Sequence, residues 1–206
     1  MESTGKSEPV LVELGVLEGE LSFGLYDRGW EGAHFVLIDP WAPHPNCDTV
    51  GERQRMDAMY EHVKAEALKR DEAAFQIHRL DGLEARQFSH PDAADVVYID
   101  YFYNKPIYRR VLSAWWSVVR PGGILAGHDF ARYPEIEEAV RAFAAMHRLD
   151  IGLLPDTTSR ARLDELRKGK DAWQRQIWWI QKPEAAPEPE PEPGDEEGEE
   201  DIDGDT

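Results

Sequence analysis

Val10-Leu-Val-Glu-Leu-Gly-Val-Leu-Glu-Gly19 decides the fold. Its first half is short, apolar and rich in β-branched residues, and it stops at a glycine. That pattern is a strand buried on both faces, the kind found in parallel sheets. Gly15 and Gly19 stand four apart where the strand ends. Glycine there lets the backbone turn through positive φ and pass close to a ligand. The stretch lacks the middle glycine of G-x-G-x-x-G, which disfavours a pyrophosphate lying on the following helix start.

Working outward, the same grammar repeats. A short helix over residues 19–27 precedes a second buried strand, Phe35-Val-Leu-Ile-Asp39, ended by the turn residues Pro40 and Pro43. A polar helix over 52–70 follows, with Met56, Met59, Tyr60, Val63 and Ala67 at helical spacing. Further strands are expected at 75–80, 95–100 and 124–128, and helices at 83–88, 107–119 and 136–147. Pro121-Gly-Gly123 is read as the stop of the 107–119 helix. Segments 150–154 and 176–180 read as a sixth and seventh strand, with a charged helix near 160–168 between them. Strands alternating with helices imply right-handed crossovers and a mostly parallel sheet covered on both faces. The last two strands break the alternation and predict an antiparallel edge.

Charge divides the chain in two. Of its 206 residues, 41 are acidic and 23 are Lys or Arg, a net charge of −18. Twelve of those acids, and no base, fall in residues 183–206, so residues 1–182 hold 29 acids against 23 bases, a net of −6. The expected organisation is a flexible N-terminus (1–8), one folded domain (9–182) and a disordered acidic Pro/Glu-rich tail (183–206). The tail's Asp201-Ile-Asp-Gly-Asp205 lacks the closing Glu of a calcium loop. Without clustered Lys and Arg a nucleic-acid surface is not expected. Cys47 is the only cysteine, so no internal disulfide and no cysteine zinc site can form. No apolar run reads as a signal peptide or membrane span, and a soluble cytoplasmic protein is expected.

In an open parallel sheet ligands bind beyond the carboxyl ends of the strands. Those ends carry Glu13, Gly15 and Gly19, then Asp39, Asp81 and Gly82, Asp100, and His128 with Asp129. A lone Asp at such a place is commonly a helix cap, but acids at successive strand ends form a set. Asp39, at the end of the second strand, can accept both hydroxyls of a ribose. The other histidines (34, 44, 62, 78, 90 and 147) have no metal-ligand spacing, no serine lies in a G-x-S-x-G elbow, and Trp115-Trp116 reads as core.

Four segments in order carry a resemblance: Val12-Glu-Leu-Gly-Val-Leu-Glu-Gly19, Val36-Leu-Ile-Asp-Pro-Trp41, Val96-Val-Tyr-Ile-Asp100 and Arg120-Pro-Gly-Gly-Ile-Leu-Ala-Gly-His-Asp-Phe130. Together they resemble the class I S-adenosylmethionine-dependent methyltransferases, most of all the small-molecule branch whose fifth strand ends in Gly-His-Asp-aromatic. The late Ile177-Trp-Trp-Ile-Gln-Lys182 resembles that branch's last strand. The resemblance implies a Rossmann-like methyltransferase fold: a mostly parallel seven-stranded sheet, helices on both faces and an antiparallel edge strand. It implies S-adenosylmethionine as cofactor. Glu13, Gly15 and Gly19 would shape the pocket for its methionine part, Asp39 would hold the ribose, Trp41 would lie near the adenine, and Asp81 and Gly82 at the adenine edge. Asp100 would sit near the cofactor amino group and the acceptor. In metal-dependent relatives acids at these strand ends bind Mg²⁺, which here means Asp100 and Asp129, with His128 beside them.

The family branch often carries Asp-Gly-x-His-x-Tyr after the fourth strand. This chain reads Asp100-Tyr-Phe-Tyr-Asn-Lys-Pro-Ile-Tyr108 instead, with Tyr103 where the His would stand. Unperturbed tyrosine is a poor base at neutral pH, so Lys105 and His128 join Asp100 and Tyr103 as candidates for deprotonating the acceptor. The expected activity is methyl transfer to a small molecule, at oxygen, by a cytoplasmic enzyme for which a homo-oligomer is compatible. The acceptor pocket is expected from residues 40–50, 101–108 or 131–134, or from a second subunit. Two alternatives stand beside it: a non-catalytic protein of this fold acting in a complex, and a nicotinamide-dependent oxidoreductase, which the absent G-x-G-x-x-G opposes.

Overall fold

The computed structural model describes residues 8–43, 48–101, 105–155 and 176–185. Among them seven strands form one sheet in the order β3-β2-β1-β4-β5-β7-β6. The strands are β1 (Val10–Leu14), β2 (His34–Ile38), β3 (Phe75–His78), β4 (Ala94–Ile99), β5 (Val119–Gly127), β6 (Gly152–Pro155) and β7 (Gln176–Gln181). The helices are α1 (Glu20–Tyr26), α2 (Val50–Arg70), α3 (Gly82–Ala85), α4 (Lys105–Trp116) and α5 (Pro134–His147). β1 to β5 run parallel, and β7 is antiparallel to both β5 and β6. The last two strands thus form the expected antiparallel edge, with β7 antiparallel to its neighbours and β6 outermost.

Both faces of the sheet are covered, as the unbroken apolar strands require. Alternate side chains of a strand point to opposite faces. Val12 and Leu14 of β1 join Val97 and Ile99 of β4 on one face, under Val111, Leu112 and Trp115 of α4 and Val140 and Phe143 of α5. Leu11 faces the other way and packs with Phe35 and Leu37 of β2, Phe23 of α1, and Met56, Val63 and Ala67 of α2. Glu13 shares the parity of Leu11, so it points to the α1–α2 side. Trp115 is fully buried, as expected of core.

One helix boundary is corrected. Pro121-Gly-Gly123 does not end a helix, because α4 stops at Trp116 and β5 already begins at Val119. The ladder pairs Ala94 with Val119, shifts register, and resumes at Val96 with Ile124. Gly122 at φ +75 lies in that irregularity, and a Cβ on Gly123 would press on the carbonyls of Arg120 and Asp95. The Pro-Gly-Gly is thus an irregularity within a strand. Lys182, just past β7, ties the end of this edge down through its ammonium, which donates to Val119 O at 2.6 Å and to Asp92 at 2.7 Å. The helix expected near 160–168, and most of the acidic tail, lie outside the described residues. No helix among the described residues is long and apolar enough to cross a membrane.

The chain leaves β1 toward β2 and β3 on one side, and β4 and β5 are laid down on the other. The crossovers reverse between β1 and β4. That reversal opens a crevice beyond the carboxyl ends of those two strands.

Candidate cofactor and acceptor site

The first wall of the crevice is the turn after β1. Gly15 N–H donates to Ile38 O, and Asp100 N–H donates to Leu14 O, each at 2.8 Å. The turn is thereby stitched to the ends of β2 and β4. Gly15 takes φ +88, and a Cβ there would overlap the Asp100 carbonyl. Gly19 takes φ +80 at the start of α1, where a Cβ would strike the Phe23 ring. Both positions need glycine, for conformation and for space.

Asp39 holds this turn in place. One carboxylate oxygen accepts from Val16 N–H at 2.9 Å and Leu17 N–H at 3.0 Å, and the other from Trp41 N–H at 2.6 Å. Burial pushes its carboxyl up, and the hydrogen bonds from Leu17, Trp41 and Val16 pull it back. A carboxylate has about four acceptor positions, and three of them are taken by the backbone. Asp39 is first a clamp on the glycine turn, with one position left for a ligand hydroxyl.

Beyond the turn lies a cavity of about 440 Å³. Its acids are Glu13, Glu18, Glu20, Asp39 and Asp100, and no Lys, Arg or His is among the described residues that line it. Its apolar walls include Leu17, Ala42 and Met56, with Tyr98 and Tyr101 from β4 and its exit. Glu13 is 2% exposed and accepts a hydrogen bond from the buried Ser22 hydroxyl. A lining of acidic side chains with no base favours a cation over a pyrophosphate.

A second cavity of about 150 Å³ opens beyond β4 and β5, lined by Asp100, Tyr101, Tyr108, His128, Asp129 and Tyr133 with two isoleucines. Asp100 and Tyr101 line both cavities and form their common wall. His128 is 3% exposed. Its Nδ1 lies 3.1 Å from Asp129 and 3.5 Å from Asp100, so the imidazole is bracketed by two carboxylates. Asp129 takes φ +59, and its carbonyl accepts from Arg132 and Tyr133 N–H, at 3.1 and 3.3 Å. Burial raises the Tyr108 hydroxyl far above the usual phenol range, with Asp100 and Asp129 adding to it. Burial, then Asp39 and Asp81, raise Tyr101 as well. Neither phenol is suited to accept a proton.

The donor set does not fit the Mg²⁺ the resemblance allowed. Asp100 and Asp129 each turn an oxygen toward the same imidazole nitrogen, which stands where a cation would have to sit. Among the described residues no three His, Cys, Asp or Glu side chains are grouped to hold a metal ion. Mg²⁺ takes one or two carboxylates and keeps several waters, but here both carboxylates are turned to His128.

The remaining expected residues divide. Asp81 caps α3, its carboxylate accepting from Leu83 N–H at 2.8 Å, and the Gly82 carbonyl accepts from the Trp115 indole at 3.0 Å. Neither lines the larger cavity, so their part at an adenine edge is not formed by its walls. Trp41, expected near the adenine, is wholly buried: its indole donates to Leu17 O at 2.9 Å and its ring packs on Tyr60. It supports the turn from behind, with its backbone at a positive φ of 38. Ala42 and Met56 face the cavity instead. Tyr103 lies outside the described residues, and Lys105 opens α4. Tyr133 falls in the expected 131–134 stretch, while Ser22 and Tyr98 carried no expected role. A polar Ser22 between Leu21 and Phe23, on the inward side of a short helix, was the one available signal.

Comparison with known proteins follows this geometry. A model of the family described as methyltransferase domain matches residues 12–130. No curated protein matches. Among solved structures, the chain is similar to an O-methyltransferase of tomaymycin synthesis from Streptomyces achromogenes, in complex with S-adenosylmethionine. The TM-score is 0.57 and the identity 13%, over 85% of this chain and 74% of that one. An O-methyltransferase from Bacillus cereus, in complex with S-adenosylhomocysteine, gives 0.57 at 14% identity, over 84% and 74%. The precorrin-6y C5,15-methyltransferase from Geobacter metallireducens gives 0.54 at 10%, over 86% and 82%. At such identities the likeness is one of fold, and the family match rests on the segment running from the glycine turn to the end of β5. The chain belongs to the methyltransferase-domain family, with the fold of the class I S-adenosylmethionine-dependent methyltransferases.

Proposed function

We propose that this protein transfers a methyl group from S-adenosylmethionine to an oxygen of a small molecule. The observation that carries the reading is the shared wall: Asp100 and Tyr101 separate a large acid-lined cavity from a small one backed by His128. S-adenosylmethionine supplies a methyl on a positively charged sulfonium, and the sulfur keeps the bonding pair when the methyl leaves. The cavity over the glycine turn suits that cation, since its described lining holds five acidic side chains and no base. Asp39 has an acceptor position left for a ribose hydroxyl. The same charge pattern opposes a nicotinamide dinucleotide, whose pyrophosphate would face those acids.

An acceptor hydroxyl in the smaller cavity lies beside Asp100 and His128. Its proton passes to that pair, and Asp129 at 3.1 Å stabilises the imidazolium. Holding acceptor and donor on either side of one wall supplies the alignment that a displacement needs. In this reading the enzyme is cytoplasmic, in keeping with a chain whose only cysteine is Cys47.

The departure at Tyr103 favours a second reading, a protein of this fold that binds the nucleoside without turnover. Calorimetry with S-adenosylmethionine, S-adenosylhomocysteine and NAD decides first. Both sulfur nucleosides should bind and NAD should not; no heat from either sulfur nucleoside overturns the proposal. Labelled methyl transfer to a panel of small hydroxyl compounds then separates the two readings.

A further inference from the structure

Glu13 is a buried carboxyl group that the transfer step leaves unused. It pairs in register with Leu37 of β2 and Tyr98 of β4. The groups facing it come from every element packed around it. Ser22 reaches it from α1, with Glu18 and Glu20 along the same wall; Asp39 comes from the end of β2; Tyr98, Asp100 and Tyr101 come from β4 and its exit. All are acids or hydroxyls, and no described Lys, Arg or His lines this cavity. An ionised Glu13 would be a buried anion beside two more anions, so the neutral carboxyl is the stable form while the cavity is empty. Burial, followed by Asp100 and Asp39, pushes its pKa up to about 8 against the hydrogen bond from Ser22.

We propose that Glu13 holds a proton while the larger cavity is empty and releases it when a cationic ligand enters, so that binding of the sulfonium cofactor expels about one proton. The inference rests on the function proposed above. Its balance is simple: the Glu13 carboxyl becomes a carboxylate, the proton goes to solvent, and the ligand's positive charge takes the proton's place. Affinity then rises about tenfold per pH unit across the neutral range and levels off above the carboxyl's own titration.

The test is calorimetric and needs no methyl acceptor. S-adenosylmethionine is titrated into the full chain at pH 7 in phosphate and in Tris, whose ionisation enthalpies differ. With the carboxyl titrating near 8, roughly nine-tenths of a proton should appear, and the two enthalpies should differ in proportion. In Glu13→Gln the difference should vanish while binding persists. Equal wild-type enthalpies, or a difference undiminished in the variant, overturn the inference and leave the cofactor reading standing. No binding heat from the wild type in either buffer overturns both. Should Glu13→Gln fail to bind, Ser22→Ala serves. Losing the hydrogen bond that favours the charged form must move the levelling-off of affinity to higher pH, and an unmoved pH profile overturns the proposal.

Discussion

The two cavities that meet at Asp100 are built by different means. The larger one rests on a backbone turn, with side chains filling in around it. Gly15 and Gly19 bend it, and Asp39 fixes it through three main-chain N–H groups. The smaller one is walled by side chains brought in from β4, α4, β5 and the turn before α5, with His128 held between two carboxylates. A backbone wall presents the same atoms whatever side chains surround it, so it suits a ligand common to a whole family. A side-chain wall changes with each substitution, so it suits the partner that differs between members.

The comparison can be broken at four points. Gly15→Ala forces a Cβ onto the Asp100 carbonyl at a positive φ. It should cost about 4 kcal/mol in denaturant unfolding and abolish nucleoside binding; a stable variant that binds normally would show the turn to be looser than described. His128→Asn attacks the other cavity. Methyl transfer should fall by about 10²–10³-fold, with calorimetric affinity for S-adenosylmethionine within about twofold of wild type. An equal loss in both would erase the distinction between the cavities.

Asp39→Ala removes the acceptor of three backbone donors. Stability should drop by about 3 kcal/mol, and affinity for S-adenosylmethionine should fall with it. Loss of affinity with unchanged stability would mean that Asp39 serves the ligand alone. Glu13→Gln acts in the opposite direction. The folded carboxyl titrates near 8 against an ordinary value of 4.5, so between those values the native state keeps a proton that the unfolded chain has lost. Wild-type stability therefore falls as pH rises through that window, and a neutral Gln does not follow. The variant should be the more stable protein at pH 9, by on the order of 5 kcal/mol, with the gap closing toward pH 5. A pH-independent gap would refute the assignment.

Much of the glycine turn and of the acids that line the larger cavity was legible in the sequence, because both depend on local chemistry. A glycine after a buried strand and an acid at the next strand's end are adjacent-residue patterns. Trp41 shows where that stops. Two residues past Asp39 it looked like a ligand contact, but it is buried in the core at a positive φ, and no spacing rule reports a φ. Pro121-Gly-Gly123 shows the same limit. Pro-Gly reads as punctuation, yet here the strand runs on through an irregularity because β4 supplies partners on both sides of it. The acceptor side was legible only as a set of strand ends. That Asp100 and Asp129 would converge on one imidazole nitrogen depends on how β4 and β5 are placed.

The sequence by itself determined the alternation of buried strands and helices, the parallel sheet, and the acids at its carboxyl edge. Each follows from burial patterns within a few residues. Only the tertiary structure decided what those acids do. It made Asp39 a clamp, Glu13 a buried carboxyl without a cation, and Asp100 the wall between two cavities. Each of those roles is set by groups from different elements meeting at the crevice between β1 and β4, where Glu13, Asp39 and His128 are buried and solvent screens their charge less.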